Sequence, residues 1–250
     1  MKINNTMARI ALMAALSAGV PSANAALVHL YTFSGPTVLD SVGGVNGTLI
    51  GGALIAGGAL SVDGNGDYAE LAGKIIPGAG DFTVSLKAQA RRLVSGHVEL
   101  ISQGQSGSGF YIGYNPSGII RITDFGMSTT IAYPTDGAFH TFTLSVGAGS
   151  SGSFYIDGVL QGIHTVARGS TGTNTRFGEQ FEPWDEYFDG LIDDVAVYDT
   201  ALDAAAVMAI ARNGPAPGPA PVPEPGTLAL LATAFGAMAF KPKKKSSASK

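Results

Sequence analysis

Phe188-Asp189-Gly190-Leu191-Ile192-Asp193-Asp194-Val195-Ala196-Val197-Tyr198 is the stretch that decides the fold. From Leu191 to Tyr198 it is rich in β-branched and aromatic residues, the composition of a buried β-strand. Side chains alternate between the two faces of a strand, so strict alternation puts Asp193 on the same face as Val195 and Val197. A carboxylate on an apolar face needs a compensating partner. Two would serve: a bound calcium ion, or the amide groups of an adjoining turn.

Working outward, similar segments recur between clusters of Gly, Asn, Asp and Ser. Residues 28–33, 48–50, 59–62, 68–71, 83–90, 98–103, 110–114, 119–124, 140–146 and 152–156 all read as strands. Asp157-Gly158 and Asp63-Gly64-Asn65-Gly66 supply turn residues that tolerate positive φ. Only residues 203–212 read as a helix, with Asp203 suited to its start. No fixed-period repeat is present, which argues against a solenoid or propeller. The pattern predicts an all-β, two-sheet antiparallel sandwich over residues 26–213.

The ends carry an address. Lys2 and Arg9 precede the apolar run 10–20, and Ala23-Asn24-Ala25 supplies a small-x-small cleavage signal. This predicts a signal peptide over 1–25 and a mature start at Ala26. At the other end, proline alternates through the linker 214–222, which favours an extended, semi-rigid spacer. Pro223-Glu224-Pro225 then leads into the apolar segment 226–240 and the basic stop Lys241, Lys243, Lys244 and Lys245. That segment is at the short edge for a single membrane helix, so snorkelling lysines would help it span. The lysines belong on the cytoplasmic side. Residues 223–245 resemble the PEP-CTERM sorting tail. The resemblance implies an exosortase-type membrane protease as partner and a cell-surface or extracellular-matrix location beside extracellular polysaccharide. An ordinary unprocessed tail anchor is the alternative.

The whole chain has a net charge of −4, but residues 26–213 hold 8 basic residues against 18 acidic, a net of −10. Such a balance excludes nucleic acid, whose binding rests on phosphate neutralisation, and suits hard cations. With no cysteine there are no disulfides, thiolate metal sites or cysteine nucleophiles.

Four segments in order carry a further resemblance. They are Leu30-Tyr31-Thr32-Phe33 leading to Asp40-Ser41 and Asn46-Gly47-Thr48; Ala59–Gly64 running on to Asp67–Leu71; Asp81–Ser85 with His140–Thr143 and Phe154–Gly158; and Phe188–Tyr198 closing on Ala201-Leu202. Together these resemble the LamG-like jelly roll of the concanavalin A-like lectin/glucanase superfamily. The resemblance implies a jelly-roll sandwich and a structural histidine at His140. It also implies a structural calcium touching the last strand, held by Asp193 with Asp40 and Asp63 as companions. Leu86 and Phe139 stand where many members carry tryptophan, leaving Trp184 as the only one.

Asp63–Asp67 starts like a calcium loop, but Tyr68 and Lys74 occupy the places an EF-hand gives to Gly and Glu, which makes it a hairpin turn. Between Glu179 and Asp203 lie nine acids with no Lys or Arg. Glycoside hydrolysis needs paired carboxylates, yet the alternating Glu-x-Asp-x-x-Glu arrangement of the related glucanases is missing. Glu182, Asp185 and Glu186 therefore read as a solvated acidic loop. Trp184 and Tyr187 share that loop, and aromatic faces beside carboxylates suit sugar binding; the alternative is rings folded onto the sandwich edge. The four histidines have no zinc spacing, and no nucleophile elbow is present. The expectation is a non-catalytic carbohydrate-binding or matrix-structuring module. A glycan-degrading enzyme of the same superfamily and a structural or adhesive protein-binding surface protein are the alternatives.

Overall fold

A computed structural model describes residues 25–104, 109–123, 128–168, 174–180 and 185–216. Residues 1–24 of the signal peptide, Ala23 included, Trp184, the sorting motif Pro223–Pro225 and the apolar segment 226–240 lie outside the described residues, whereas Ala25 lies within them. Among the described residues, no helix is long and apolar enough to cross a membrane.

The sandwich consists of two antiparallel sheets. The first runs β13 (Val159–Thr165), β12 (Ser151–Ile156), β11 (His140–Val146), β6 (Phe82–Ala90), β15 (Asp189–Tyr198), β4 (Ala59–Asp63) and β3 (Leu54–Ala56), with β1 (Leu27–Tyr31) also paired to β15. The second runs β10 (Ser128–Ala132), β9 (Ile119–Ile122), β8 (Phe110–Tyr114), β7 (Val98–Gln103), β14 (Thr175–Phe177), β5 (Tyr68–Leu71) and β2 (Gly47–Ile50). All eleven strands read from the sequence are present. The four that escaped notice are short, as β3 and β14 are, or lie at sheet edges without an alternating apolar face, as β10 and β13 do. Asp63–Asp67 is a corner rather than a hairpin, because β4 and β5 lie in different sheets.

The facing sides make one core. Phe82, Leu86, Phe142 and Phe154 of the first sheet meet Ile101, Phe110, Ile112 and Phe177 of the second, all fully buried. Edge-to-face rings join the layers, Tyr31 to Phe177 at 5.1 Å and Phe82 to Phe110 at 5.9 Å. Each such contact adds about 1 kcal/mol beyond the area it buries. Leu86 fills its tryptophan position inside this core, whereas Phe139 is 41% exposed.

Helix α1 (Ala204–Asn213) covers part of the first sheet's outer face. The Asp203 carboxylate accepts the Ala206 amide at 2.8 Å, and Gly214 closes the other end by donating to Ile210. Ile210 packs with Ala196, Tyr198, Leu27 and Leu30 in a second, smaller cluster. The β12–β13 hairpin turns on Asp157 (φ 51°) and Gly158 (φ 78°), both positive as a type I′ turn requires. Gly158 also abuts Met208 of α1, where a Cβ would lie 2.9 Å from the Met208 Cα.

His140, at the start of β11, ties this hairpin to the preceding loop. Its Nδ1 sits 2.7 Å from Asp157 and its Nε2 2.9 Å from Asp136. Burial opposes the imidazolium, but the two carboxylates outweigh it and raise the pKa. A histidine raised in the folded state stabilises fully below its ordinary value of 6.5, and the stabilisation fades as pH climbs through the raised value. His140→Ala should therefore destabilise the protein below pH 6 and progressively less above pH 7, with solvent screening keeping the effect small, read from denaturant melts across pH. A cost independent of pH would show that the ring contributes packing alone.

Candidate functional site

Alternation along the second sheet sends one set of side chains into the core and the other outward. Register aligns the outward set in two rows: Arg121 beside Gly113 and Glu99, and Tyr111 beside Ser102, Arg176 and Glu70. Arg121 bonds Glu99 at 3.1 Å and the Tyr111 hydroxyl at 2.7 Å, and stacks over the Tyr111 ring at 4.6 Å. Glu99 is fully buried above Gly113, where a Cβ would collide with the Val98 carbonyl and the Glu99 carboxylate. Arg176 bonds Glu70 at 2.8 Å and Glu179 at 2.6 Å, and lies 4.5 Å over the Tyr68 ring.

These arginines organise Glu179 and Glu186, so Glu186 is not solvated as the sequence suggested; Asp185 is, and Glu182 lies outside the described residues. Glu179, Glu186 and Asp189 are each less than 10% exposed, Asp193 and Asp194 are half-buried, and among the described acids Asp185, Asp199 and Asp203 are open to water. Arg176 holds Glu179, and Arg121 stands 3.5 Å from Glu186. Arg91 and Arg92 hold Asp189 at 3.0 and 2.6 Å. Buried charges must be paired, and except for Arg176, three residues before Glu179, the partners come from distant parts of the chain. Burial nonetheless raises the pKa of Glu179 above the ordinary range, despite Arg176 and the Tyr187 hydroxyl. The Tyr187 hydroxyl is pushed up to about 12 by burial first and then by Glu179, with Tyr68 near enough to contribute.

The part of this face within reach of solvent is Tyr68, Glu70, Asn174 and Tyr187, all half-buried. Asn174 donates to Glu70 Oε1 at 3.0 Å while Arg176 holds Oε2, so both carboxylate oxygens are fixed. Tyr68 and Glu70 on β5, with Asn174 and Tyr187 on adjoining segments, can stack on a sugar ring and hydrogen-bond its hydroxyls. Tyr187 was legible from the sequence; Tyr68, Glu70, Asn174 and Arg176 were not. The one signal for them was the outward parity of Tyr68 and Glu70 along β5.

The three calcium candidates are placed apart in function. Asp40 accepts the amides of Leu30, Val42, Gly43 and Val45 and pairs with His29 at 2.7 Å. Burial works against its charge, yet His29 and these amides hold its pKa low. Asp63 is exposed and caps the Asn65 amide at the β4–β5 corner. Asp193 does not share a face with Val195. Asp194 (φ 48°) forms a β-bulge against β6, so Asp193 opposes Lys87 on the outside while Val195 turns into the core. Among the described residues, no group of three or more His, Asp or Glu is arranged to hold a metal ion. The donor set fits turn amides better than calcium.

Asp193 is half-buried, and its pKa is pushed up to about 6 by burial first and then by the Asp194 charge. A carboxyl raised from 3.8 to about 6 penalises the fold once ionised, with no penalty below pH 4 and the full penalty above pH 6. Asp193→Asn keeps an acceptor for the Asp194 amide at 2.7 Å. It should stabilise the protein by about 1 kcal/mol at pH 7.5, allowing for solvent screening, and by nothing at pH 3.5. Thermal melts at the two pH values check this. Destabilisation at pH 7.5 that EDTA reproduces in the wild type would instead establish a bound cation.

The family model of the concanavalin A-like lectin/glucanases superfamily matches residues 63–208. No curated protein sequence matches the chain. Among solved structures, domain 4 of AbnA, an extracellular arabinanase from Geobacillus stearothermophilus in complex with arabinotriose, aligns at 21% identity and a TM-score of 0.57. The alignment covers 75% of this chain and 99% of that one. A Trypanosoma rangeli sialidase aligns at 18% identity and a TM-score of 0.60, over 74% of this chain but 32% of the sialidase. The binding domain of Paraclostridial Mosquitocidal Protein 1 aligns at 17% identity and a TM-score of 0.55, over 74% of this chain and 52% of that one. These likenesses concern the fold. With more than half of its length matched by the family model, the chain belongs to the concanavalin A-like lectin/glucanase superfamily.

Proposed function

We propose that residues 26–213 form an exported, non-catalytic glycan-binding module of the cell surface or extracellular matrix, with Tyr68, Glu70, Asn174 and Tyr187 as its contact face. One observation carries the proposal: the described glutamates of the acidic stretch are each matched to an arginine, beside two tyrosines that keep solvent access. Ion-paired carboxylates accept hydrogen bonds from sugar hydroxyls but do not form the acid–base couple that hydrolysis needs. Glu99, with no solvent access, touches no substrate. A domain of an arabinanase that is a fold neighbour along almost its whole length supports the glycan class, by analogy of fold. The leader and the Pro223-Glu224-Pro225 tail support the address, with an exosortase-type protease and the membrane as partners. Calcium has no part in this reading.

The enzyme reading keeps one observation in its favour, the raised pKa of Glu179, which suits a general acid. Isothermal titration of the exported protein with neutral oligosaccharides, arabinotriose included, separates the two. Saturable binding should appear, weakened about tenfold by Tyr68→Ala or Tyr187→Ala. Trp184→Ala extends the test to the tryptophan of the same segment. Release of reducing sugar, abolished in Glu179→Gln, would replace the binding module with a hydrolase. Neither binding nor turnover by folded protein would leave a structural or adhesive role.

A further inference from the structure

Two independent features meet at one peptide bond. The small-x-small signal places cleavage after Ala25, and Ala26 is where the chain's hydrogen bonds to the last strand begin. The Ala26 nitrogen donates to Asp199 Oδ1 at 2.9 Å, and the Asp199 amide donates back to the Ala26 carbonyl at 3.1 Å. The ladder then continues with Leu27 opposite Tyr198. We infer that Asp199 is the counter-ion for the α-ammonium group created when the leader is removed, so that export completes the seam between the first and last strands. The inference rests on the reading of residues 1–25 as a leader.

In the cleavage, water adds across the Ala25–Ala26 bond and the C–N bond breaks. Ala25 leaves with a carboxylate, and Ala26 keeps its nitrogen as an ammonium. The nitrogen that gave Asp199 one neutral hydrogen bond then offers three donors and a positive charge, a stronger, charge-assisted partner. What is lost is the contact of Ala25 with the small cluster around Tyr198. Tyr198 itself clamps the other end of the domain. Its hydroxyl donates to the Ala216 carbonyl at 3.0 Å and accepts the Ala216 amide at 3.2 Å. Neighbouring residues at the end of β15 thus hold both the new N-terminus and the first part of the proline-rich spacer.

The test uses the full chain exported from a bacterial host. N-terminal sequencing should give Ala26. Reductive methylation with 13C-formaldehyde then allows NMR titration of the α-amine. Its midpoint should lie about half a pH unit above that of the peptide Ala-Leu-Val-His-Leu and fall to the peptide value in Asp199→Asn. Asp199→Glu should restore the shift. A start at any other residue would overturn the leader reading and the inference with it. An Ala26 start whose amine titrates with the peptide in folded wild-type protein would overturn the ion pair alone.

Discussion

Arg176 is the residue on which the candidate site depends. It lies over the Tyr68 ring, bonds Glu70 on its own sheet and reaches Glu179 of the segment that follows β14. Without a guanidinium there, Glu70 and Glu179 would face each other with little water to screen them, and breaking such a buried pair costs about 3–5 kcal/mol. Arg121 repeats the arrangement one row away with Glu99, Tyr111 and Glu186. Planar, always-charged arginine suits both posts, since it can bond carboxylates and stack on a ring at once.

This packing makes the site rigid. Residues 178–180 and 185–188 are pinned to strands through Arg176 and Arg121, and through bonds such as Ser102 Oγ to the Glu179 carbonyl at 2.6 Å. Rings that lie ready for a ligand lose little freedom on binding, which is how a shallow face gains affinity. A separate groove of about 410 Å³, lined by Val28, His29, Lys74, Ile75, Asp81 and Asp199, lies between β1 and the 74–81 segment. It lacks an aromatic platform.

Most of the fold was legible in the sequence because β-branched runs bounded by turn residues carry a strong local signal. Parity was less secure. Alternation placed Asp193 among valines, and one residue at positive φ, Asp194, reversed that assignment, since a bulge leaves no mark in an apolar pattern. Glu186 was misread as solvated for a different reason. The stretch from 179 to 203 contains no basic residue; Arg176 stands just three residues before Glu179, but Arg91, Arg92 and Arg121 reach Asp189 and Glu186 only through strand order. Strand order is a long-range property, which is also why Tyr68 and Glu70 could not be joined to Tyr187 beforehand.

The central claim is that sugar meets the protein on the Tyr68–Tyr187 face, and amide shift mapping tests it most directly. With arabinotriose titrated into 15N-labelled exported protein, the shifts should cluster at residues 68–70, 174–180 and 185–188 and saturate together. Saturating shifts confined to the groove between β1 and residues 74–81, or the appearance of shortened oligosaccharide during the titration, would contradict it.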